Sequence, residues 1–82
     1  MRIDKYINSV NLTKRRAIAQ DMIKHDAVLI NGARAKASKQ VKIGDIIELV
    51  YLESSEKYEV LQIPVTKSIP KSKKDEYVRQ IP

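Results

Sequence analysis

Residues 12–32 read LTKRRAIAQDMIKHDAVLING, and the fold of the chain turns on how this stretch is parsed. Three cations in a row, Lys14, Arg15 and Arg16, stand where a helix begins. Ile18, Ala19, Met22 and Ile23 supply the apolar stripe of roughly three helical turns, which should fray near His25-Asp26. Val28-Leu29-Ile30 then reads as a short strand. Asn31-Gly32 closes a hairpin after it, because a type I′ turn needs two residues tolerant of positive φ. The basic run is oddly placed. The amino end of a helix carries partial positive charge, so each cation there costs a few tenths of a kcal/mol, up to about 1. The same end, with its free N–H groups, accommodates anions. A phosphate backbone as the missing counter-charge makes sense of the run, which points to an RNA-binding module.

Upstream, Ile3, Tyr6, Ile7 and Val10 recur at i, i+3, i+4 and i+7, the spacing of one buried helix face. Asp4 in the first turn suits the helix dipole. Asn11 or Thr13 is the expected N-cap of the next helix, and the two short helices should pack on each other, since neither is stable alone. Downstream of the hairpin turn, Ala33-Arg34-Ala35 is a weak return arm and residues 36–42 form a basic loop. Ile43-Gly44-Asp45 turns into a strand over Ile46–Leu52. Residues 53–56 reverse the chain into a second strand over Lys57–Ile63, which Pro64 should end. Past Val65 the signals fade. Residues 70–74 look basic and loosely ordered, and Ser72 to Gln80 has the makings of one or two helical turns. The expected class is α+β: two short packed helices, then a small antiparallel sheet, over residues 1–63, followed by a loosely ordered tail over 64–82.

Eighty-two residues make one small domain that buries about 60–65% of its unfolded-chain surface, with little room for an internal active-site cavity. A hydrophobic fraction of 43% argues for a folded body. With no cysteine, disulfides and thiolate metal sites are excluded. No apolar run approaches the roughly 20 residues of a membrane span, and the first residues lack a signal-peptide pattern, so a cytoplasmic protein is expected. The net charge of +6 is segregated. Residues 1–42 hold ten Lys/Arg against three acids, and residues 43–82 hold six against seven. The basic half is the expected polyanion footprint.

The pieces RIDKYI at 2–7, KRRAIAQDMI at 14–23, VLINGARAKASKQVKIGD at 28–45 and the strand that follows jointly resemble the S-four RNA-binding domain. The resemblance covers residues 1 to about 63. It implies the α+β S-four-like fold, and it implies an RNA face of Arg2, Asp4 and Lys5 on the first helix. Lys14, Arg15 and Arg16 on the second helix join that face, with Lys36, Ser38 and Lys39 from the loop. Many members of the family carry Ser-Arg where this chain has Arg15-Arg16, so a hydroxyl donor is replaced by a cation. Short chains of this kind bind the large ribosomal subunit when it holds a stalled peptidyl-tRNA, contacting ribosomal RNA and tRNA. The resemblance therefore implies a non-catalytic role in rescue or quality control of stalled translation; no cofactor, metal or small-molecule substrate is expected.

Arginine forks suit bidentate phosphate contacts, so Arg2 and Arg16 are favoured over the lysines for positioning RNA. Asp4 cannot bind phosphate, but a carboxylate held near Arg15 or Arg16 would orient the guanidinium before RNA arrives. That role predicts weaker RNA binding by Asp4→Asn with an almost unchanged melting temperature. The front half is expected to keep its cluster of guanidinium and ammonium groups, Arg2, Arg15 and Arg16 among them, unpaired and awaiting nucleic acid. His25 has no second ligand in reach by spacing, so a metal or catalytic role is not expected. Four tyrosines without Phe or Trp leave little for a stacking platform, which favours reading of phosphates and shape on folded RNA. A helix-turn-helix DNA regulator is the alternative, but beyond Gln20 the 14–25 helix lacks residues spaced for base edges. An enzyme would need a nucleophile–base pair or clustered carboxylates, and a membrane-surface role would need bulky apolar residues opposite the basic ones.

Overall fold

Ile3, Tyr6, Ile7 and Val10 are all fully buried, and the helix they stripe, α1, spans Ile3–Ser9. It stops where Asn11 takes φ 64°, a left-handed conformation that asparagine tolerates. The Leu12 N–H then reaches back to the Ile7 carbonyl at 3.0 Å. The computed structural model describes residues 1–65 and 67–82. Helix α2 spans Arg16–Lys24 and buries Ala19 and Ile23, with Met22 half-buried. Ile18 is 44% exposed, contrary to its expected place in the stripe. It lies at one edge of the apolar arc, in the first turn. The N-cap also differs from expectation: Arg15 occupies it without a side-chain cap bond. Thr13 instead donates its hydroxyl to the Arg15 carbonyl at 3.1 Å.

Strands β1 (Val28–Ile30) and β2 (Ala33–Arg34) form the expected hairpin, with Asn31 at φ 52° and Gly32 at φ 84°. The Asn31 side chain also works across the sheet, accepting from the Ile46 N–H at 2.9 Å and donating to Asp45 at 3.1 Å. Strand β3 is Ile46–Val50, ending before the expected Leu52, and β4 is Ser55–Val60, starting earlier than the expected Lys57 because the reversal is tight and ending before Ile63. The Tyr51 N–H bonds the Ser54 carbonyl at 2.7 Å, so pairing resumes at Ser55. β4 ends at Val60, before Pro64.

The tail is ordered where a loose segment was expected, and the helical turns expected within 72–80 are present in part. Its described part carries a 3-10 turn at Lys71–Lys73, a short helix α3 at Lys74–Tyr77, and a fifth strand, β5, at Val78–Ile81. β5 pairs antiparallel with β4, Val78 opposite Val60, completing an all-antiparallel sheet of order β2-β1-β3-β4-β5. Thr66, inside the span read as loosely ordered, lies outside the described residues. The reason for the order is burial. Ile69 is 6% exposed and Val78 2%, and β4 would otherwise present an open edge. Polar bonds seat the segment on α1: Ser9 Oγ donates to the Lys67 carbonyl at 2.6 Å and Asn11 Nδ2 to the Ile69 carbonyl at 2.9 Å. Tyr6 donates its hydroxyl to the Tyr77 carbonyl at 3.1 Å.

The inward residues of the sheet, Val28, Ile30, Ile47, Leu49, Tyr58, Val60 and Val78, meet the apolar faces of α1 and α2 in one core. Helices on one side of an antiparallel sheet make the α+β architecture expected from the sequence. Both helix starts and the 36–42 loop are left on a common rim.

Candidate nucleic-acid interface

Arg2 is the N-cap of α1, and its backbone is bridged to Gln40 across the rim. The Ile3 N–H donates to the Lys39 carbonyl at 2.8 Å, and the Val41 N–H to the Met1 carbonyl at 3.0 Å. The terminal ammonium of Met1 reaches Gln40 Oε1 at 2.9 Å. These bonds seat the basic loop beside the start of α1. Within it, the Lys39 N–H closes a turn onto the Lys36 carbonyl, and Lys36, Ser38 and Lys39 are all exposed. Together with Ile30, Asn31, Ala33, Arg34 and Ala35 they line a shallow depression of about 500 Å³.

Asp4 is the hub. It is fully buried, and its carboxylate is saturated. Oδ1 accepts the Lys5 N–H at 2.9 Å and lies 3.3 Å from Arg2 Nε. Oδ2 accepts Arg16 Nε at 3.2 Å, Arg16 Nη2 at 3.1 Å and Gln20 Nε2 at 3.1 Å. A buried carboxylate without such partners would be severely disfavoured. Burial alone would raise its pKa. The bonds from Gln20, Arg16 and the Lys5 N–H, with the Arg16 charge, outweigh burial and hold the carboxyl below its ordinary value.

The expectation that the front cations stand unpaired is therefore corrected for three of them, Arg2 and Arg16 with Asp4 and Arg34 with Asp26. Arg2 and Arg16 converge on Asp4 and are paired with it, yet their side chains stay 47% and 44% exposed. One carboxylate cannot balance two guanidiniums, so the pair keeps a positive charge facing outward. The other acids of residues 1–42 are engaged elsewhere, Asp21 with His25 and Asp26 with Arg34, each at 3.6 Å. Lys5, Lys14, Arg15, Lys36 and Lys39 are exposed, and none forms an ion pair among the described residues.

Of the nine residues expected at the interface, the structure brings Arg2, Asp4 and Arg16 into direct contact and seats the 36–39 loop alongside. Lys14 lines a second groove with residues from the tail. Sequence reasoning missed Gln20 as a partner of Asp4. Its signal was spacing: Gln20 lies four residues after Arg16, on the same helix face one turn on. Tyr6 and Tyr58 are buried and Tyr77 half-buried, leaving Tyr51 at 41% exposure, so no aromatic platform forms.

Residues 1–47 match the S4 domain. The chain is 51% identical over 78 residues to the RQC P-site tRNA stabilizing factor of Helicobacter pylori, covering 95% of this chain and 93% of that one. It is 44% identical over 45 residues to the factor of the same name in Bacillus subtilis, covering 55% of this chain and 52% of the relative. The trimeric structure of Vibrio cholerae Heat Shock Protein 15 superposes with a TM-score of 0.88 at 27% identity, over 99% of this chain and 81% of that one.

Proposed function

The chain belongs to the S4 domain family, and from that premise we propose that it is a non-catalytic, cytoplasmic RNA-binding protein. It binds ribosomal RNA and tRNA on the large ribosomal subunit, in rescue or quality control of stalled translation. The names of its relatives support the P-site tRNA and quality-control setting. One observation of the chain itself carries the reading. A buried acid, Asp4, fixes two half-exposed arginines on a rim that is otherwise basic. Such a device pre-orders guanidinium forks for phosphate, with the ordering cost met before RNA arrives. Arg2, Arg16, Lys5, Lys14, Arg15, Lys36, Ser38 and Lys39 face the RNA, and Asp4 positions the first two.

A DNA-reading role for α2 is less well supported, since its one base-edge candidate, Gln20, is held by a bond to Asp4. The test is co-sedimentation with large subunits carrying peptidyl-tRNA, against empty subunits, at about 150 mM salt, where phosphate contacts are selective. Wild type should travel with the loaded particle and Arg16→Ala should not. Equal sedimentation of the two proteins would overturn the assignment of the rim.

A further inference from the structure

The tail places lysines where the S4 match does not reach. Lys71 and Lys74 line a groove of about 650 Å³ whose opposite wall is Asn11, Leu12, Thr13 and Lys14. The match to the S4 domain ends at residue 47, so the groove is made half by that domain and half by the segment beyond it. Its two walls are fastened to each other. The Ile69 N–H donates to the Ser9 carbonyl at 3.0 Å, Asn11 Nδ2 returns to the Ile69 carbonyl at 2.9 Å, and Ile69 itself is buried. The tail lysines are therefore held at a set position beside Lys14.

We propose that this groove is a second phosphate-contacting site, in which Lys71 and Lys74 join Lys14 on the backbone of the same structured RNA. Three lysines line this one concavity, and no acidic side chain lines it to balance their charge. Asp75 and Glu76 sit on the same turn as Lys74 but outside the groove, and Lys73 adds a further cation to that turn. Neither Lys14 nor Lys71 forms an ion pair among the described residues. Lys74 has its ammonium 5.8 Å from the Tyr58 ring centroid, a contact that steadies the chain without cancelling the charge. Asn11 and Thr13 already donate to the Ile69 and Arg15 carbonyls, so the lysines are the donors the groove offers to a phosphodiester. Lys14 is two residues from Arg16, at most about 7 Å along the chain, so the groove continues the Arg2–Arg16 rim. The inference rests on the RNA-binding reading above and extends its footprint to the C-terminal segment.

The test compares wild type, Lys71→Gln/Lys74→Gln, Arg16→Ala and Lys57→Gln for binding to bulk tRNA and to large ribosomal subunits over a salt series. Lys57 is exposed on β4, away from both basic walls, and serves as the charge control. The double variant should bind about 10- to 30-fold more weakly at about 150 mM salt. Its log–log salt slope should be shallower by nearly two, as for two lost phosphate contacts. Replacing both lysines by arginine should restore the slope, and circular-dichroism melting of the variants should match wild type. An unchanged affinity and slope in the double variant, while Arg16→Ala loses binding, would overturn the groove and leave the rim standing. An equal loss in Lys57→Gln would also overturn it, by reducing the effect to net charge. Failure of wild type to bind either RNA would overturn the RNA-binding reading first and the groove with it.

Discussion

Asp4 Oδ2 accepts two donors from Arg16, Nε at 3.2 Å and Nη2 at 3.1 Å, so a fully buried oxygen sets the plane of a guanidinium that is nearly half exposed. Two bonds from one fork fix orientation as well as distance. Gln20, one turn along α2, holds the same oxygen at 3.1 Å and keeps it in place when the arginine shifts. The chemistry of the rim lies in this arrangement: the acid is spent inside so that the cation is aimed outside.

Arg16→Lys should therefore fail to rescue what Arg16→Ala loses. A lysine restores the charge but presents a point donor in place of the fork. Both variants should bind bulk tRNA at least about tenfold more weakly, as for one lost phosphate contact plus disordering of its neighbours. Both should stay folded, because Gln20, the Lys5 N–H and Arg2 still serve Asp4. Filter binding across a salt series, with a thermal melt of each variant, checks both halves. Full rescue by lysine would mean that only charge matters at this position.

Asp4→Asn behaves differently from what the sequence suggested. An acid on an exposed first turn could be changed at little cost, but this one is buried and saturated. The asparagine amide would turn an N–H₂ toward the Lys5 N–H or toward donors of Arg16 and Gln20, leaving buried groups unsatisfied. A loss of about 1–3 kcal/mol follows, and each kcal/mol lowers Tm by about 4–8 °C in a chain this size. Weaker RNA binding should accompany it. A melting temperature equal to wild type would contradict the buried network.

The same carboxyl makes stability depend on pH. Its native pKa is depressed, through the Gln20, Arg16 and Lys5 bonds overcoming burial. For a depressed acid the contribution is present above the unfolded-state pKa of about 3.9 and is lost as pH falls through the native value. Urea titrations of wild type and Asp4→Asn should differ by a constant amount at neutral pH, and the gap should narrow steadily below about pH 4. A gap that widened on acidification would reverse the assigned direction.

Much of this was legible from the chain alone. The 3, 6, 7, 10 spacing marks α1, and Asn31-Gly32 marks its hairpin, because both signals are local and strong. The pairing of Asp4 with a residue of the 14–16 run was also within reach, since opposite charges at two packed helix starts have few other partners. What could not be read were features decided by distant contacts. β5 has four residues, too few for a period, and Val78 faces Val60 eighteen positions earlier. Lys71 and Lys74 read as solvated tail charges until Ile69 buries and carries them beside Lys14. Gln20 looked like a free polar side chain, and only the approach of α1 gives it a partner.

The boundary between residues 63 and 64, drawn on fading signals, is the remaining prediction, and the structure argues that cutting there is destructive. Truncation after Ile63 removes Ile69 and Val78, 6% and 2% exposed, whose burial contributes about 1.5–3 kcal/mol each. The sum of roughly 3–6 kcal/mol is a large part of the 5–15 kcal/mol typical of a folded domain. The cut also strips the β5 ladder from β4 and the Tyr77 carbonyl from the Tyr6 hydroxyl, exposing a strand edge prone to association. The 1–63 fragment should lack a cooperative melt by circular dichroism and should aggregate at high concentration. Tyr6→Phe in the whole chain, which removes only the hydroxyl bond, should cost no more than about 0.5–1.5 kcal/mol. A fragment that melts cooperatively at the wild-type temperature would show instead that residues 1–63 fold independently and that the tail merely decorates them.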